Sequence, residues 1–327
     1  MKKAMKISVA LATYNGAQYI KEQLESFVDQ TRLPDELIIT DDCSTDQTEA
    51  LVSEFAKTAP FKVEFHRNKR NLGYCGNFNA ALMKTTGDLV FLSDQDDVWF
   101  PDKIQHMIEL AESHSDALVM MNDAVLTDSD LNEVGLTKLG QIRSAGIPLE
   151  RFVMGCCACV RRELLDFCLP IPKAVRGHDD WLVGLSGGLN AKLVDPKPLQ
   201  YYRRHESNES QFIANRTYKV TRSLAFLHAV QTTFKKDAPE KARASIDQQK
   251  VFLRHLTETQ QRAPAKYHSK FVEFRKSTET RIEREERRVA VREQWFVSRF
   301  LTVFYMLVKG DYRQSNGIKS VLRDLVG

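Results

Sequence analysis

Phe91-Leu-Ser-Asp-Gln-Asp-Asp-Val-Trp-Phe-Pro101 is the stretch on which the reading of this chain turns. Asp88 to Ser93 is a short apolar run introduced by the turn pair Thr86-Gly87, which predicts a buried strand. Beyond it stand three carboxylates within four residues, Asp94, Asp96 and Asp97. They repel one another, and burying them together is costly unless a cation neutralises them. Oxygen ligands at a strand's carboxyl end suit Mg²⁺ or Mn²⁺, which keep coordination positions open for phosphate oxygens. The alternative is an acidic loop leading into the next helix, with Asp102 near its start.

The surroundings favour the first reading. Upstream and downstream, apolar runs at Ile7–Ala12, Glu36–Thr40, Lys62–His66 and Ala117–Val125 read as strands. Periodic segments at Ala17–Gln30, Asp46–Lys57, Asn77–Lys84 and Pro101–Ser113 read as helices. Such alternation predicts βαβ crossovers, hence a mostly parallel sheet with helices on both faces, a Rossmann-like α/β fold. In sheets of this kind ligands lie outside the carboxyl ends of the strands. Thr13, Tyr14 and Asn15 follow the first strand, Asp41 and Asp42 the second, Asn68 to Asn71 the third, and Asp94 to Asp97 the fourth. All four groups fall at that edge.

At 327 residues the chain has room for one large domain plus an extension, and its formal charge of only +4 argues against a nucleic-acid binder. Its six cysteines lie in apolar surroundings, which points to a reducing cytoplasm; Cys156 and Cys159 form a C-x-x-C with no second pair to complete a zinc site. The apolar run after Met1-Lys-Lys-Ala-Met-Lys6 leads straight into Thr13-Tyr-Asn-Gly16, so a first strand is expected rather than a secretion signal. Thr127 to Glu150 reads as a mobile loop, Arg161–Phe167 and Asp179–Leu189 as helices, and Cys156, Leu193 and Leu199–Tyr202 as strand positions. Residues 1–210 are expected to form the α/β domain and 211–327 a charged helical region.

Five segments, in order, carry a resemblance: Ile7-Ser-Val-Ala-Leu-Ala-Thr-Tyr-Asn15, Ile38-Ile-Thr-Asp-Asp-Cys-Ser-Thr-Asp46, Asn71-Leu-Gly-Tyr-Cys-Gly-Asn77, Leu92-Ser-Asp-Gln-Asp-Asp-Val-Trp99 and Gly177-His-Asp-Asp-Trp181. Over residues 6 to 208 the chain resembles the inverting family 2 glycosyltransferases of GT-A fold, and among them bacterial rhamnosyltransferase-like members. The resemblance implies that Thr13, Tyr14, Asn15, Asp41, Asp42, Asp94 and Gln95 contact a nucleoside-diphosphate sugar. Asp42 would accept a uracil or thymine imide N–H, with Tyr14 beside the base. Adjacent strand-end residues face opposite ways, so one of Asp41 and Asp42 is expected to point at the ligand. Asp46 is expected to cap a helix. Arg70 and Asn77 are donor-side candidates, although Lys69-Arg70 reads equally as a basic turn.

The resemblance further implies that Asp94 and Asp96 hold Mn²⁺ or Mg²⁺, with Asp97 supporting the site. In Tyr201-Tyr-Arg-Arg-His-Glu-Ser-Asn208 it implies Arg203 or Arg204 on the diphosphate, Arg204 being preferred, and His205 at the metal or phosphate. Asp179 matches the family's base, which takes the proton of the acceptor hydroxyl. His178 stands where a Glu is common, although the rhamnosyltransferase-like group shares His-Asp, and Asp180 is the rival base. Absence of Q-x-x-R-W favours addition of a single sugar, from a dTDP-rhamnose or UDP-hexose donor, to a bacterial surface-glycan acceptor, free or lipid-linked. A sugar-phosphate nucleotidyltransferase and a non-catalytic nucleotide-sugar-binding subunit are the rivals. The former lacks its Gly-rich basic loop in Ala12-Thr-Tyr-Asn-Gly16. Finally, Trp295 to Val308 is apolar on nearly every helical face but too short to span a bilayer, and Arg292, Lys309, Arg313, Lys319 and Arg323 flank it. It is expected to meet the cytoplasmic face of the inner membrane, the catalytic domain or a second copy of the chain.

Overall fold

Uninterrupted apolar runs set the centre of the sheet. The computed structural model describes residues 4–205, 213–233, 238–312, 320–321 and 324–325. Its first half alternates as the periodicity predicts: β1 (Ile7–Thr13), α1 (Ile20–Val28), β2 (Glu36–Asp41), α2 (Thr48–Ala56), β3 (Lys62–Arg67), α3 (Gly73–Leu82) and β4 (Leu89–Ser93). β3, β2, β1 and β4 pair in that order, all parallel. Every residue of β2 and of β4 is buried, as expected where helices cover both faces. β3 lies at the edge and bears Lys62, Glu64 and His66 on partly exposed positions, charges that discourage edge-to-edge pairing.

Beyond β4 the sheet turns mixed. The next elements are β5 (Val98–Trp99), α4 (Lys103–Ser113), β6 (Val119–Thr127), β7 (Glu133–Thr137) and α5 (Lys138–Ser144). After them come β8 (Ala158–Arg161), α6 (Arg162–Cys168), α7 (His178–Gly188) and β9 (Lys192–Arg203). β8 lies between β4 and β6 and is antiparallel to both, so β6 is not β4's neighbour as simple βαβ counting suggests. Its Ala158, Cys159 and Val160 are buried and fill that slot. β9 runs as one strand through both expected strand positions, parallel to β6, and its far end pairs with β5.

The expected loop from Thr127 to Glu150 is instead ordered structure, β7 on β6 followed by α5. Thr137 caps α5 by accepting the Gly140 N–H at 3.0 Å, and the Asp123 carboxylate accepts the Leu139 N–H at 2.8 Å. Gln141 then fastens residues 216 to 220, donating to the Arg216 and Tyr218 carbonyls and accepting from Val220. These polar residues read as loop because their partners lie far away in sequence.

Two compact units are present, Met1–Arg222 and Ser223–Gly327. In the second, α8 (Arg222–Thr233) leads to the long helices α9 (Ala238–Arg262) and α10 (His268–Arg292), which pack side by side. Gln249 donates to Glu285 at 2.6 Å and accepts from Arg281 at 2.8 Å, as the mixed-charge pattern predicts for a solvated pair. Arg288 and Arg292 converge on the fully buried Asp324, at 2.6 and 2.8 Å. α11 (Phe296–Val308) docks on this unit through Val303 and Met306, which cluster with Val291 and Tyr312. No helix among the described residues is long and apolar enough to cross a membrane.

Candidate active site

Register brings the predicted groups to one level. Thr13 of β1 is paired with Asp41 of β2, which is paired with Arg67 of β3, while Ser93 of β4 lies beside Leu11. The loops that leave this edge are stitched together by their own polar side chains. Thr13 Oγ1 and the Tyr14 N–H donate to Gln95 Oε1 at 2.6 and 2.9 Å, and Gln95 Nε2 donates to the Tyr14 carbonyl at 3.1 Å. Asn15, in the left-handed region at φ 47, accepts from the Thr45 N–H at 2.8 Å and donates its own N–H to Ser44. Buried Asn77 donates to the Thr13 carbonyl at 3.0 Å and accepts from Asn68 at 2.9 Å. Among the expected donor contacts, then, Thr13, Asn15, Asn77 and Gln95 spend these hydrogen bonds on the scaffold.

Asp41 and Asp42 divide as alternation predicts. Buried Asp41 holds its own loop, accepting the Ser44 N–H at 2.9 Å and the Ser44 hydroxyl. Asp42 takes both the Asn68 amide and the Leu72 N–H, at 2.9 and 2.8 Å, on one oxygen. Its other oxygen has no hydrogen-bond partner among the described residues and keeps its capacity to accept. Tyr14, the residue after β1, is 50% exposed, and Arg70 is exposed and unpaired among the described residues. Asp46, expected to cap α2, stands one residue before the cap position, which Gln47 occupies, and accepts the Thr48 N–H at 3.0 Å from there.

The acidic cluster is built on a buried network. Lys103 reaches in from α4 to the Cys156 carbonyl at 3.0 Å and to Gln200, and Gln200 Nε2 donates to Asp97 at 2.8 Å. Asp97 is fully buried and also faces the Arg203 N–H; burial, followed by the Asp96 charge, pushes its carboxyl up to about 7. Asp94 is pushed well above the usual carboxylate range by burial and then by Asp96, Asp97 and Asp179. Ligand atoms of Asp94, Asp97 and Cys156 lie within 4.8 Å of one another. Burial holds the Cys156 thiol far above its ordinary value, so it is a poor ligand for a hard cation. Asp97 is engaged by Gln200, and Asp96 and His205, both expected at the metal, are not part of that group. Asp96 is joined by His205, whose Nε2 lies 2.8 Å from it and whose ring stacks on Tyr19 at 4.8 Å.

Arg203, by contrast, is locked into the scaffold. It donates to the Asp96 and Ser129 carbonyls at 2.9 and 2.6 Å, pairs with Glu22 and lies over Tyr19. Arg204 is less buried; its guanidinium lies 5.5 Å from the Tyr202 ring and donates to the Tyr202 hydroxyl at 3.2 Å. Residues 206–208 of the same motif lie outside the described residues. Sequence reasoning missed Lys138, which is buried at the start of α5, donates to the Ala214 carbonyl at 3.3 Å and is pushed down to about 8 by burial. Its neighbour Tyr202, the tyrosine of the quoted Tyr201 to Asn208 segment, has its ring 5.9 Å from Lys138 Nζ, and its hydroxyl is influenced by Cys156, Asp97 and Asp94. Lys138 belongs to no recognisable motif.

α7 opens the other side of the crevice. Asp179 is part-buried at its first turn, one oxygen accepting the Asp180 N–H at 2.9 Å and the other free of hydrogen bonds among the described residues. Its charge reaches Asp94, and with Asp180 it also reaches Cys75 at the start of α3. Asp180 is more exposed, yet the protein around it, followed by Asp179, pushes its carboxyl up to about 6. At Gly177 a Cβ would lie 2.7 Å from Asp179 Oδ1, so a larger residue there would shift the Asp179 carboxylate. His178 points inward, stacked on Phe78 at 3.8 Å, and both ring nitrogens are buried without a partner among the described residues. Burial pushes its imidazole below the ordinary value, against the opposing charge of Asp179. Gly155 abuts this ring: a Cβ there would lie 2.5 Å from His178 Nε2. Gly155→Ala is therefore expected to cost about 1–3 kcal/mol by overpacking, seen as a lower urea midpoint. An unchanged midpoint would mean that the ring has room to move.

This α/β sheet, with an acidic cluster and an unpaired carboxylate facing each other at its carboxyl edge, is that of a glycosyltransferase of GT-A fold. The sequence model for glycosyl transferase family 2 matches residues 8–168. An uncharacterized glycosyltransferase of Nostoc sp. is 30% identical over 230 residues, 65% of this chain and 69% of that protein. The dTDP-rhamnosyl transferase RfbG of Shigella flexneri is 28% identical over 211 residues, 61% of this chain and 73% of its own. Among solved structures, Staphylococcus aureus TarS 1-349 in complex with UDP superposes with a TM-score of 0.54 at 19% identity, over 87% of this chain and 90% of that one. The Pyrobaculum calidifontis mannosyltransferase PcManGT, with GDP-Man and Mn²⁺, gives 0.52 at 16% identity over 99% and 87%. The chain belongs to glycosyl transferase family 2, and is a glycosyltransferase. That membership sets aside the nucleotidyltransferase and scaffold-subunit readings.

Proposed function

We propose that the chain is a metal-dependent inverting glycosyltransferase that moves one sugar from a nucleoside-diphosphate donor to a hydroxyl of a bacterial surface glycan. The observation that carries the reading is the placement of Asp179: an unpaired carboxylate oxygen at a helix start, close enough to Asp94 for the two charges to interact. Asp42 and Tyr14 would hold the base, with the free Asp42 oxygen accepting its imide N–H. Asp94 and Asp96 would hold Mn²⁺ or Mg²⁺, with His205 beside Asp96 and Arg204 available to the phosphates. Bound there, the cation supplies Lewis-acid stabilisation of the charge that develops on the departing diphosphate. Asp179 takes the acceptor hydroxyl's proton as its oxygen bonds to the anomeric carbon. The sugar–phosphate bond breaks on the opposite face, and the configuration inverts. The likeness to RfbG puts a dTDP-linked 6-deoxyhexose first among donors, and UDP-hexoses next.

The test is a thermal-shift screen of nucleotide sugars with and without Mn²⁺, followed by NMR of the transferred sugar's anomeric configuration. A ligand at about 100 times its Kd should stabilise the fold by roughly 2.7 kcal/mol. The reading fails if no nucleoside diphosphate or its sugar shifts the melting temperature, or if the product retains configuration.

A further inference from the structure

α11 presents an apolar surface that the fold does not use. It faces its own unit through Val303 and Met306 and through Arg299, which donates to the Arg292 and Gln294 carbonyls at 2.7 and 3.0 Å. At 100° per residue these positions and Thr302 fall on one side of the helix. Val297, Phe300, Leu301, Phe304, Tyr305 and Val308 fall on the other half of the wheel, and each is at least half exposed. Trp295, 77% exposed, precedes the helix, and Lys309 follows it with its ammonium 4.9 Å from the Tyr305 ring. A contiguous exposed patch of this size marks an interaction surface rather than an ordinary exterior.

Two kinds of partner could cover it, a lipid surface or a second copy of the chain, and charge decides between them. From Arg287 to Gly327 the sequence carries eight Lys or Arg against three acids, and Trp295 to Val308 contains no acid at all. Asp324 takes up Arg288 and Arg292, Asp311 lies 3.7 Å from Arg287 and Glu293 pairs with Arg243, so these pairs cancel on both sides and the stretch keeps its excess of five basic residues over acids. A second copy docked through the same face would bring two like-charged regions together, which is unfavourable. Anionic headgroups would complement them, at about 1 kcal/mol per basic residue near the surface. The distribution also suits an interface: a Trp at one end, a Tyr–Lys pair at the other and Phe or Leu between them. The helix is about 20 Å long at 1.5 Å per residue, too short to span but able to lie in the headgroup region. We infer that α11 is a membrane-surface anchor that lays its outer half into an anionic lipid interface.

Flotation of the full chain with phosphatidylglycerol/phosphatidylcholine vesicles and with pure phosphatidylcholine vesicles tests this. The wild type should float with the anionic vesicles, more weakly with the neutral ones, and less at high salt. Phe300→Glu with Phe304→Glu, both on the exposed half, should lower the floated fraction at least about tenfold. Its circular dichroism and its rate of donor hydrolysis should not change, since neither side chain packs in the fold or belongs to the active site. Donor hydrolysis lost in both proteins would count against the proposed activity and not against the anchor. The inference is overturned if the wild type floats with neither vesicle or if the double variant floats as well as the wild type. It is likewise overturned if the wild type is a dimer by light scattering that the variant makes monomeric with flotation unaffected.

Discussion

Asp179→Asn is expected to lower the turnover of sugar transfer by about 10²–10⁴-fold, the usual contribution of a positioned general base, with little change in the affinity for donor. The substitution is nearly isosteric. Its side-chain oxygen can still accept the Asp180 N–H, which Asp179 Oδ1 accepts at 2.9 Å, so the first turn of α7 is preserved. What is lost is a group able to take a proton, so the acceptor hydroxyl stays a poor nucleophile. Donor binding should survive because Asp42, Asp94 and Asp96 are untouched, and removing the Asp179 charge relieves some of the crowding at Asp94. Asp180→Asn is the control. Asp180 shares the helix start and is pushed up to about 6, which makes it a reasonable base on proton affinity alone. If it only helps to shape the site, its variant should retain most of the turnover. A turnover that falls with Asp180→Asn and persists with Asp179→Asn would reverse the assignment, and one that persists in both would leave transfer without a carboxylate base. Initial rates at saturating donor and acceptor, with donor affinity measured separately by calorimetry, separate these outcomes.

The first half of this fold could be read in advance because its strands are buried on both faces. β1, β2 and β4 are nearly unbroken apolar runs, and a run of that kind bounded by turns has few other uses. The same physics placed the polar residues after Thr13, Asp41 and Ser93 at one edge, since parallel strands end together. β7 and α5 escaped detection because they are short and are held by contacts over long range, from Asp123 to Leu139 and from Gln141 to residues 216–220. Division of labour within the site was legible in part. Alternation said that Asp41 and Asp42 differ, and their hydrogen bonds give Asp41 to the loop and leave Asp42 an open oxygen. Nothing local could show that Gln95 would be bound to Tyr14, or that Lys103 and Gln200, far apart in sequence, would hold Asp97. Such networks depend on which side chains meet across the fold, and a motif records only one side of each meeting.

The three carboxylates that opened the sequence argument should accordingly respond in different ways to the loss of charge. Asp94→Asn and Asp96→Asn are expected to reduce transfer by at least about 10³-fold, the several kcal/mol that Lewis-acid stabilisation supplies, at 1.36 kcal/mol per tenfold. Chelation of the wild type should give a similar loss, restored by adding Mn²⁺ or Mg²⁺. Both variants should bind Mn²⁺ more weakly in the presence of nucleoside diphosphate, as read by electron paramagnetic resonance of the free ion. Their stability should not suffer: Asp94 sits among Asp96, Asp97 and Asp179, and neutralising one member of a crowded set removes repulsion. Asp97→Ala should behave in the opposite manner. Its carboxylate is fully buried and satisfies Gln200, which in turn satisfies Lys103, so removal leaves buried polar groups unpaired. Thermal stability should drop by about 1–3 kcal/mol or more, with metal affinity affected less than in the other two variants. Equal metal affinity in all three variants and the wild type, or full activity in excess chelator, would detach the cluster from the chemistry. The crowding of carboxylates at this edge would then need a cause within the fold alone, and Asp94, with no cation paired to it among the described residues, offers none.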